Sequence, residues 1–128
     1  MAKRVLQIID APYRCTVEEQ DDPAIWITHA MRGAGGEFGV LLRGSAVNYA
    51  VKGQDASGLS FGGRKQTQPM NPEHELARLM EKDVPVYVVQ EDVEERGLSA
   101  GELLPGVRSI NRTGVAKLFG EFDAVWHW

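Results

Sequence analysis

The chain has 128 residues, the length of one domain. Its 43% hydrophobic and 25% charged residues exclude a wholly disordered chain and a collagen-like repeat. A net charge of −4 argues against a protein that binds the phosphate backbone of nucleic acids, and no apolar run approaches the roughly 18 residues of a membrane span. With one cysteine, Cys15, and no secretory signal pattern near Met1, we expect a single domain over residues 1–128 in the reducing cytoplasm.

Short apolar runs rich in β-branched residues predict the strands in chain order. Residues 5–9, 38–42 and 84–89 are nearly continuous apolar segments, as expected for strands covered on both faces. Residues 107–110 and 124–128 predict two further strands.

Helical spacing separates these strands. Asp22 and Pro23 predict the start of a first helix, and Asn71 and Pro72 the start of a second. The buried stripe of the first helix is predicted as one of two sets: Trp26, Ala30 and Ala34, or Ile27, Met31 and Ala34. A third helix is predicted from the spacing of Val115, Leu118, Phe119 and Phe122.

Three connecting segments carry weaker patterns. Residues 46–51 predict a short helix that Ser45 caps, and residues 53–69, with four glycines and no steady period, predict a long surface loop. The acidic residues of 91–95 predict a solvated helix start, since acids suit the positive end of the helix dipole.

This order of elements predicts a three-layer α/β/α domain with a mostly parallel five-stranded sheet, flavodoxin-like rather than barrel-like. In such folds ligands bind at the carboxyl ends of the strands. We therefore expect the site near residues 10–15, 43–45 and 90–91.

Cys15 is the one residue that could act as a sulfur nucleophile. Arg14 and a nearby helix N-terminus would favour its thiolate, although an unreactive small apolar residue is the plain alternative. Arg43, at the end of a buried strand, is either an anion contact or a structural ion-pair partner. The histidines lack metal-ligand spacing and the glycine-rich segments lack a phosphate-binding pattern, so no metal and no cofactor are predicted.

The aromatic segment Trp126-His127-Trp128 has two interpretations. It is either an alternating strand that buries one face, or a subunit contact made by exposed indoles.

From Lys3 to Trp128 the chain resembles the DsrE/DsrF-like family, small sulfur-relay proteins that include the TusBCD subunits and YchN-like homo-oligomers. The resemblance rests on VLQII, on GVLLRGSAVNYAVKG, and above all on PVYVVQEDVEERGLSAGELLPGV. It implies a flavodoxin-like fold and an assembly of three or six copies. It also implies a persulfide-forming cysteine at the end of the strand before Arg96-Gly97-Leu98, where this chain has Val89 and Gln90.

Three functional hypotheses follow. In the first, Cys15 carries sulfane sulfur, with Arg14 and Arg43 lowering its pKa. In the second, the chain is a non-catalytic subunit of a sulfur-relay oligomer with protein partners. In the third, it binds a small ligand or anion without covalent chemistry, through a crevice lined by Tyr13, Arg43, Asn48 and Gln90.

Overall fold

The computed structural model describes residues 3–16, 18 and 21–128. Its strands are β1 (Arg4–Ile9), β2 (Glu37–Leu42), β3 (Ser60–Phe61), β4 (Arg64–Lys65), β5 (Val86–Val89), β6 (Arg108–Ile110) and β7 (Ala124–His127). Its α-helices are α1 (Pro23–Gly33), α2 (Pro72–Glu81), α3 (Gln90–Glu95) and α4 (Val115–Phe119). Short 3-10 helices cover Gly44–Ala50, Ala100–Glu102 and Arg112–Gly114.

Five strands form one parallel sheet in the order β6-β5-β2-β1-β7. In the register, Ile9 of β1 lies beside Leu42 of β2, so these two strands end at the same level. The chain places β5 and β6 on one side of β1 and returns to place β7 on the other. The predicted parallel α/β fold is confirmed, and the reversal of direction lies at β1, where ligand crevices of such sheets form.

The two faces of the sheet are covered unequally. One face, here called the α1 face, packs against α1, α2 and the 3-10 helix Gly44–Ala50, and its core includes Ile25, Tyr49 and Leu76. The other, the α4 face, carries a smaller buried cluster of Leu6, Ile8, Leu41, Val89 and Leu118. Because α4 has only five residues, much of the carboxyl end of this face stays open.

Helix α1 begins as predicted but turns a different side to the core. Asp22 caps it by accepting hydrogen bonds from the backbone of Ala24 and Ile25. Its fully buried residues are Ala24, Ile25 and Thr28. The first predicted stripe is wrong because Trp26 is 57% exposed, and the second holds only in part, since Met31 packs against the core while Ala34 is exposed. The reason is a buried polar pair: Gln7 donates to the Thr28 hydroxyl at 3.1 Å, so this polar residue takes an inner position.

Two segments after β2 also differ from expectation. Ser45 does not cap the short helix, because the helix already begins at Gly44, one residue before Ser45, and has no side-chain cap. Residues 53–69 are not wholly irregular, because β3 and β4 form an exposed antiparallel hairpin. Gly62 and Gly63, with φ of 55° and 81°, supply the turn between them. None of the helices in the described ranges is long and apolar enough to span a membrane.

Candidate binding site at the carboxyl ends of the strands

A cavity of about 560 Å³ opens on the α4 face, where β1, β2 and β5 end. Asp10 follows β1, Arg43 follows β2, and Val89 is the last residue of β5. The remaining lining residues come from α4 and from the starts of the neighbouring segments: Gly44, Asp92, Arg112, Val115, Ala116 and Phe119. The size suits a small organic ligand.

Asp10 anchors one side of this cavity. Arg43 donates two hydrogen bonds to its carboxylate, from Nε to Oδ1 at 2.8 Å and from Nη2 to Oδ2 at 2.9 Å. Nε2 of His127, on β7, contacts the same Oδ2. The hydrogen bond from Arg43 is the main reason that the pKa of Asp10 lies below its usual value, with His127 adding to the effect and partial burial opposing it. Asp10 is therefore a carboxylate at neutral pH, and it fixes the direction of the Arg43 side chain.

Asp92 anchors the other side. It lies in the first turn of α3 and is 8% exposed, so the expectation of a solvated acidic segment is wrong at this residue. Its Oδ2 accepts the backbone N–H of Gly44 at 2.8 Å, and its Oδ1 accepts Nη2 of Arg112 at 2.7 Å. A buried carboxylate needs such partners, and here they join α3 to the 3-10 helix after β2 and to the 3-10 helix before α4.

Two arginines and a set of apolar side chains line the same cavity. Within the described residues, Nη1 of Arg43 and both Nε and Nη1 of Arg112 have no hydrogen-bond partner. The apolar residues that line the same cavity are Val89, Val115, Ala116 and Phe119. Guanidinium groups bind carboxylates through paired N–H donors, so this cavity suits a small molecule with an anionic head and an apolar body.

Cys15 lies elsewhere, on the α1 face. Its Sγ is 3.0 Å from Sδ of Met70, beside a small cavity of about 10 Å³ that Asp22 and Ile25 also line. Burial raises the pKa of Cys15, and the charge of Asp22 raises it further. The expectation that Arg14 and Arg43 lower this pKa is wrong, because Arg43 is engaged by Asp10 on the other face.

The other residues expected to bind a ligand do not line the large cavity. Tyr13 donates its hydroxyl to Gln54 at 2.6 Å, and Asn48 donates to the backbone carbonyl of Ser45 at 2.9 Å. Gln90, next to the cavity-lining Val89, donates to Glu94 at 2.9 Å. Arg14 is exposed, and its backbone N–H is 3.3 Å from the Tyr49 hydroxyl. Of the five residues predicted to bind, Arg43 alone is among those that line the large cavity.

Sequence reasoning did not single out four residues at or beside the cavity: Asp10, although it lies in the expected segment 10–15, and Asp92, Arg112 and His127. Position after a strand could have found Asp10, and position before the third helix could have found Arg112. No local signal marks Asp92 or His127, whose partners lie far away along the chain. Among residues 3–16, 18 and 21–128, no group of three or more His, Cys, Asp or Glu side chains could hold a metal ion.

Comparison with known proteins identifies solved structures that have a similar fold. No family model and no curated protein matches the chain. Among solved structures it is similar to the ychN protein from E. coli, with 22% identity, a TM-score of 0.74 and complete coverage of both chains. It is also similar to MTH1491 from Methanobacterium thermoautotrophicum, a protein of unknown function, with 15% identity and a TM-score of 0.63 over 98% of this chain and 99% of that one. At the level of fold, these similarities confirm the resemblance seen in the sequence.

Proposed function

We propose that this chain, which has the fold of the DsrE/DsrF-like proteins, binds a small organic anion without covalent chemistry. The ligand's carboxylate meets the guanidinium groups of Arg43 and Arg112, and its apolar part packs on Val89 and Phe119. The observation that carries the proposal is the cavity of about 560 Å³ at the carboxyl ends of the strands, with two arginines on its rim.

The hydrogen-bond donors of the cavity, rather than its net charge, support an anionic head group. Asp10 and Asp92 are each paired with one arginine, and Arg112 is also 3.4 Å from Glu95, so the arginines carry no excess positive charge. The guanidinium N–H groups that face no protein partner are then the donors available to a ligand. Val89, at the place where the family resemblance implies a cysteine, adds apolar surface and no nucleophile.

Benzoate is a suitable first probe, with benzyl alcohol as its uncharged counterpart. We expect calorimetry to detect benzoate and not benzyl alcohol. Arg112→Gln is the variant of choice because the Arg112 side chain is 55% exposed. Since Arg112 also pairs with the buried Asp92, circular dichroism and urea unfolding of the variant check that it is folded before binding is measured. Removing a hydrogen bond to a charged group costs about 1.5–3 kcal/mol, so benzoate should bind roughly tenfold or more weakly.

Arg14→Gln is the matched control, since Arg14 is exposed and is not among the residues that line the cavity. It should bind benzoate as the unaltered chain does. Equal binding of the two probes, or equal binding by the two variants, would refute the proposal.

A second candidate is the sulfur chemistry implied by the family resemblance, with Cys15 as the carrier. Its partial exposure supports this candidate, whereas its raised pKa opposes it. In this reaction the thiolate attacks a polysulfide sulfur, an S–S bond breaks, and a shorter polysulfide leaves while Cys15 keeps one sulfur. Intact-mass measurement after polysulfide treatment, beside Cys15→Ser, should show a reducible gain of one sulfur in the unaltered chain alone.

We further propose that the chain forms a homo-oligomer of three or six copies. The exposed aromatic side chain of Trp126 supports a contact between copies. A variant of this proposal makes the chain a non-catalytic subunit of a sulfur-relay assembly, supported by Val89 at the position of the implied cysteine. Sedimentation of the purified chain tests the first idea, and co-purification of a stoichiometric partner tests the second.

A further inference from the structure

The outer edge of β7 has hydrogen-bonding groups without a neighbouring strand in the described structure. On the side that faces β1, the residue after β7, Trp128, donates its backbone N–H to the carbonyl of Ile8, and its own carbonyl accepts the backbone N–H of Asp10. Backbone groups alternate in direction along a strand, so the N–H and C=O groups of Val125 and His127 point away from β1. Two residues of β7 therefore offer a donor and an acceptor each on the open side of the sheet.

This edge lacks the features that usually prevent pairing. β7 contains no lysine, arginine or proline, and Val125 and Trp126 are 39% and 37% exposed. The opposite edge of the sheet, β6, has three residues and carries Arg108. An exposed, uncharged and partly apolar edge strand is a template for another strand.

We propose that β7 pairs in antiparallel fashion with β7 of a second copy of this chain, about a two-fold axis at Trp126. The inference rests on the proposed homo-oligomer and names one contact within it. Val125 would face His127 of the second copy, and these two residues would exchange both of their backbone hydrogen bonds. Trp126 would face its own counterpart in the pair without backbone hydrogen bonds between them.

The register and the charges favour a second copy over another protein. The two outward-facing residues are two positions apart, so a two-fold axis between them matches each donor with an acceptor. The pairing is also electrostatically compatible, since β7 contains no Asp, Glu, Lys or Arg, and His127 would meet Val125 rather than its own counterpart. The Trp126 ring contacts Phe38 of its own sheet, with ring centroids 6.0 Å apart.

The area of the contact sets its expected strength. A four-residue edge with its side chains buries less than the roughly 1,600 Å² of a standard interface. Pairing at this edge alone should therefore give a dimer whose population rises with concentration. Because the axis is two-fold, the contact belongs to assemblies with even copy number, such as a hexamer made of two trimers.

Cysteine cross-linking in a Cys15→Ser background tests the register. In the Trp126→Cys protein, the cysteines of the two copies would face each other in the pair without backbone hydrogen bonds. Their Cα atoms would be about 4.5 Å apart, within the range of a disulfide. Val125→Cys is the matched control, because its own counterpart would be a diagonal neighbour about 7–8 Å away. We expect rapid disulfide dimers from the first variant and few from the second. Equal cross-linking of the two variants, or none from a folded Trp126→Cys protein, would overturn the proposal.

A mixture of Val125→Cys and His127→Cys proteins covers the case in which Trp126→Cys does not fold. These residues form the hydrogen-bonded pair, with Cα atoms about 5.5 Å apart, so the mixture should give hetero-dimers that neither protein forms alone. Absence of hetero-dimers from the folded mixture contradicts the register.

Proline at position 125 tests the role of the backbone. Val125→Pro removes an N–H that faces away from β1, so the sheet within one copy keeps its bonds while edge pairing loses a donor. Sedimentation should show weaker association for Val125→Pro and unchanged association for Val125→Thr. Unchanged association of both variants would overturn the proposal even if the chain is oligomeric, and benzoate binding, measured separately, reports on the cavity alone.

Discussion

Loss of a single hydroxyl at Tyr49 should destabilise the segment that carries Cys15. Tyr49 is fully buried in the 3-10 helix Gly44–Ala50. Its hydroxyl donates to Oδ2 of Asp22 and accepts the backbone N–H of Tyr13. Burial, with the hydrogen bond to Asp22, raises the pKa of Tyr49, so this group keeps its proton and remains a donor. The hydroxyl thus ties the chain after β1 to the start of α1.

Tyr49→Phe leaves a buried carboxylate oxygen and a backbone N–H without this partner. Hydrogen bonds to charged groups contribute about 1.5–3 kcal/mol, so we expect the free energy of unfolding to fall by about 2–3 kcal/mol. For a domain of 128 residues, a loss of ~2 kcal/mol lowers Tm by about 7 °C. Urea and thermal unfolding, followed by circular dichroism, measure both quantities. Cys15 should also react faster with alkylating reagents, because the tether near it opens more often.

Tyr87→Phe is the matched control. The Tyr87 hydroxyl makes one long, exposed contact, 3.5 Å from Nη1 of Arg108, and its loss should cost less than about 0.5 kcal/mol. If Tyr49→Phe were no more destabilising than Tyr87→Phe, the reasoning that the buried hydroxyl anchors this segment would be refuted.

Three further predictions concern Cys15, His29 and Gly39. Cys15 should be alkylated more slowly than free cysteine at pH 8, because burial and Asp22 raise its pKa; an equal or faster rate would contradict this. Burial lowers the pKa of His29, so the stability that depends on its neutral form is present above about pH 6.5 and is lost as pH falls. Urea titrations between pH 7 and pH 5 should therefore show a shallower decline for His29→Gln. Gly39→Ala should cost about 1–3 kcal/mol of unfolding free energy, since its Cβ would lie 2.7 Å from Phe122; an unchanged urea midpoint would count against this.

The sheet could be predicted because its signals are local. Each central strand is a short run of apolar residues, and Asp22 and Asn71 cap the helices that they precede. The inner side of α1 could not be predicted in the same way. Thr28 is buried only because Gln7, twenty-one positions earlier, satisfies its hydroxyl, and no helical period in the sequence reports that pairing.

The candidate site depends even more on distant partners. Arg43 could be found from its position after a buried strand. Asp92 stands among acidic neighbours that are typical of a solvated helix start, yet its carboxylate is buried against Gly44 and Arg112, 48 and 20 positions away. Burial of one acid in an acidic run is set by those tertiary contacts, which composition and charge patterning do not encode.

The rule that strand ends converge holds for the residues directly after β1 and β2 and fails a few residues later. Asp10 directly follows β1 and lines the cavity on the α4 face. Tyr13, with φ of 60°, then leads the chain along Tyr49, and Cys15 reaches Met70 and Ile25 on the α1 face. The sheet therefore separates the thiol from Arg43, one of the two arginines that were expected to activate it. Polysulfide treatment and benzoate binding accordingly report on two separate sites. A positive result at one site therefore neither requires nor excludes a positive result at the other.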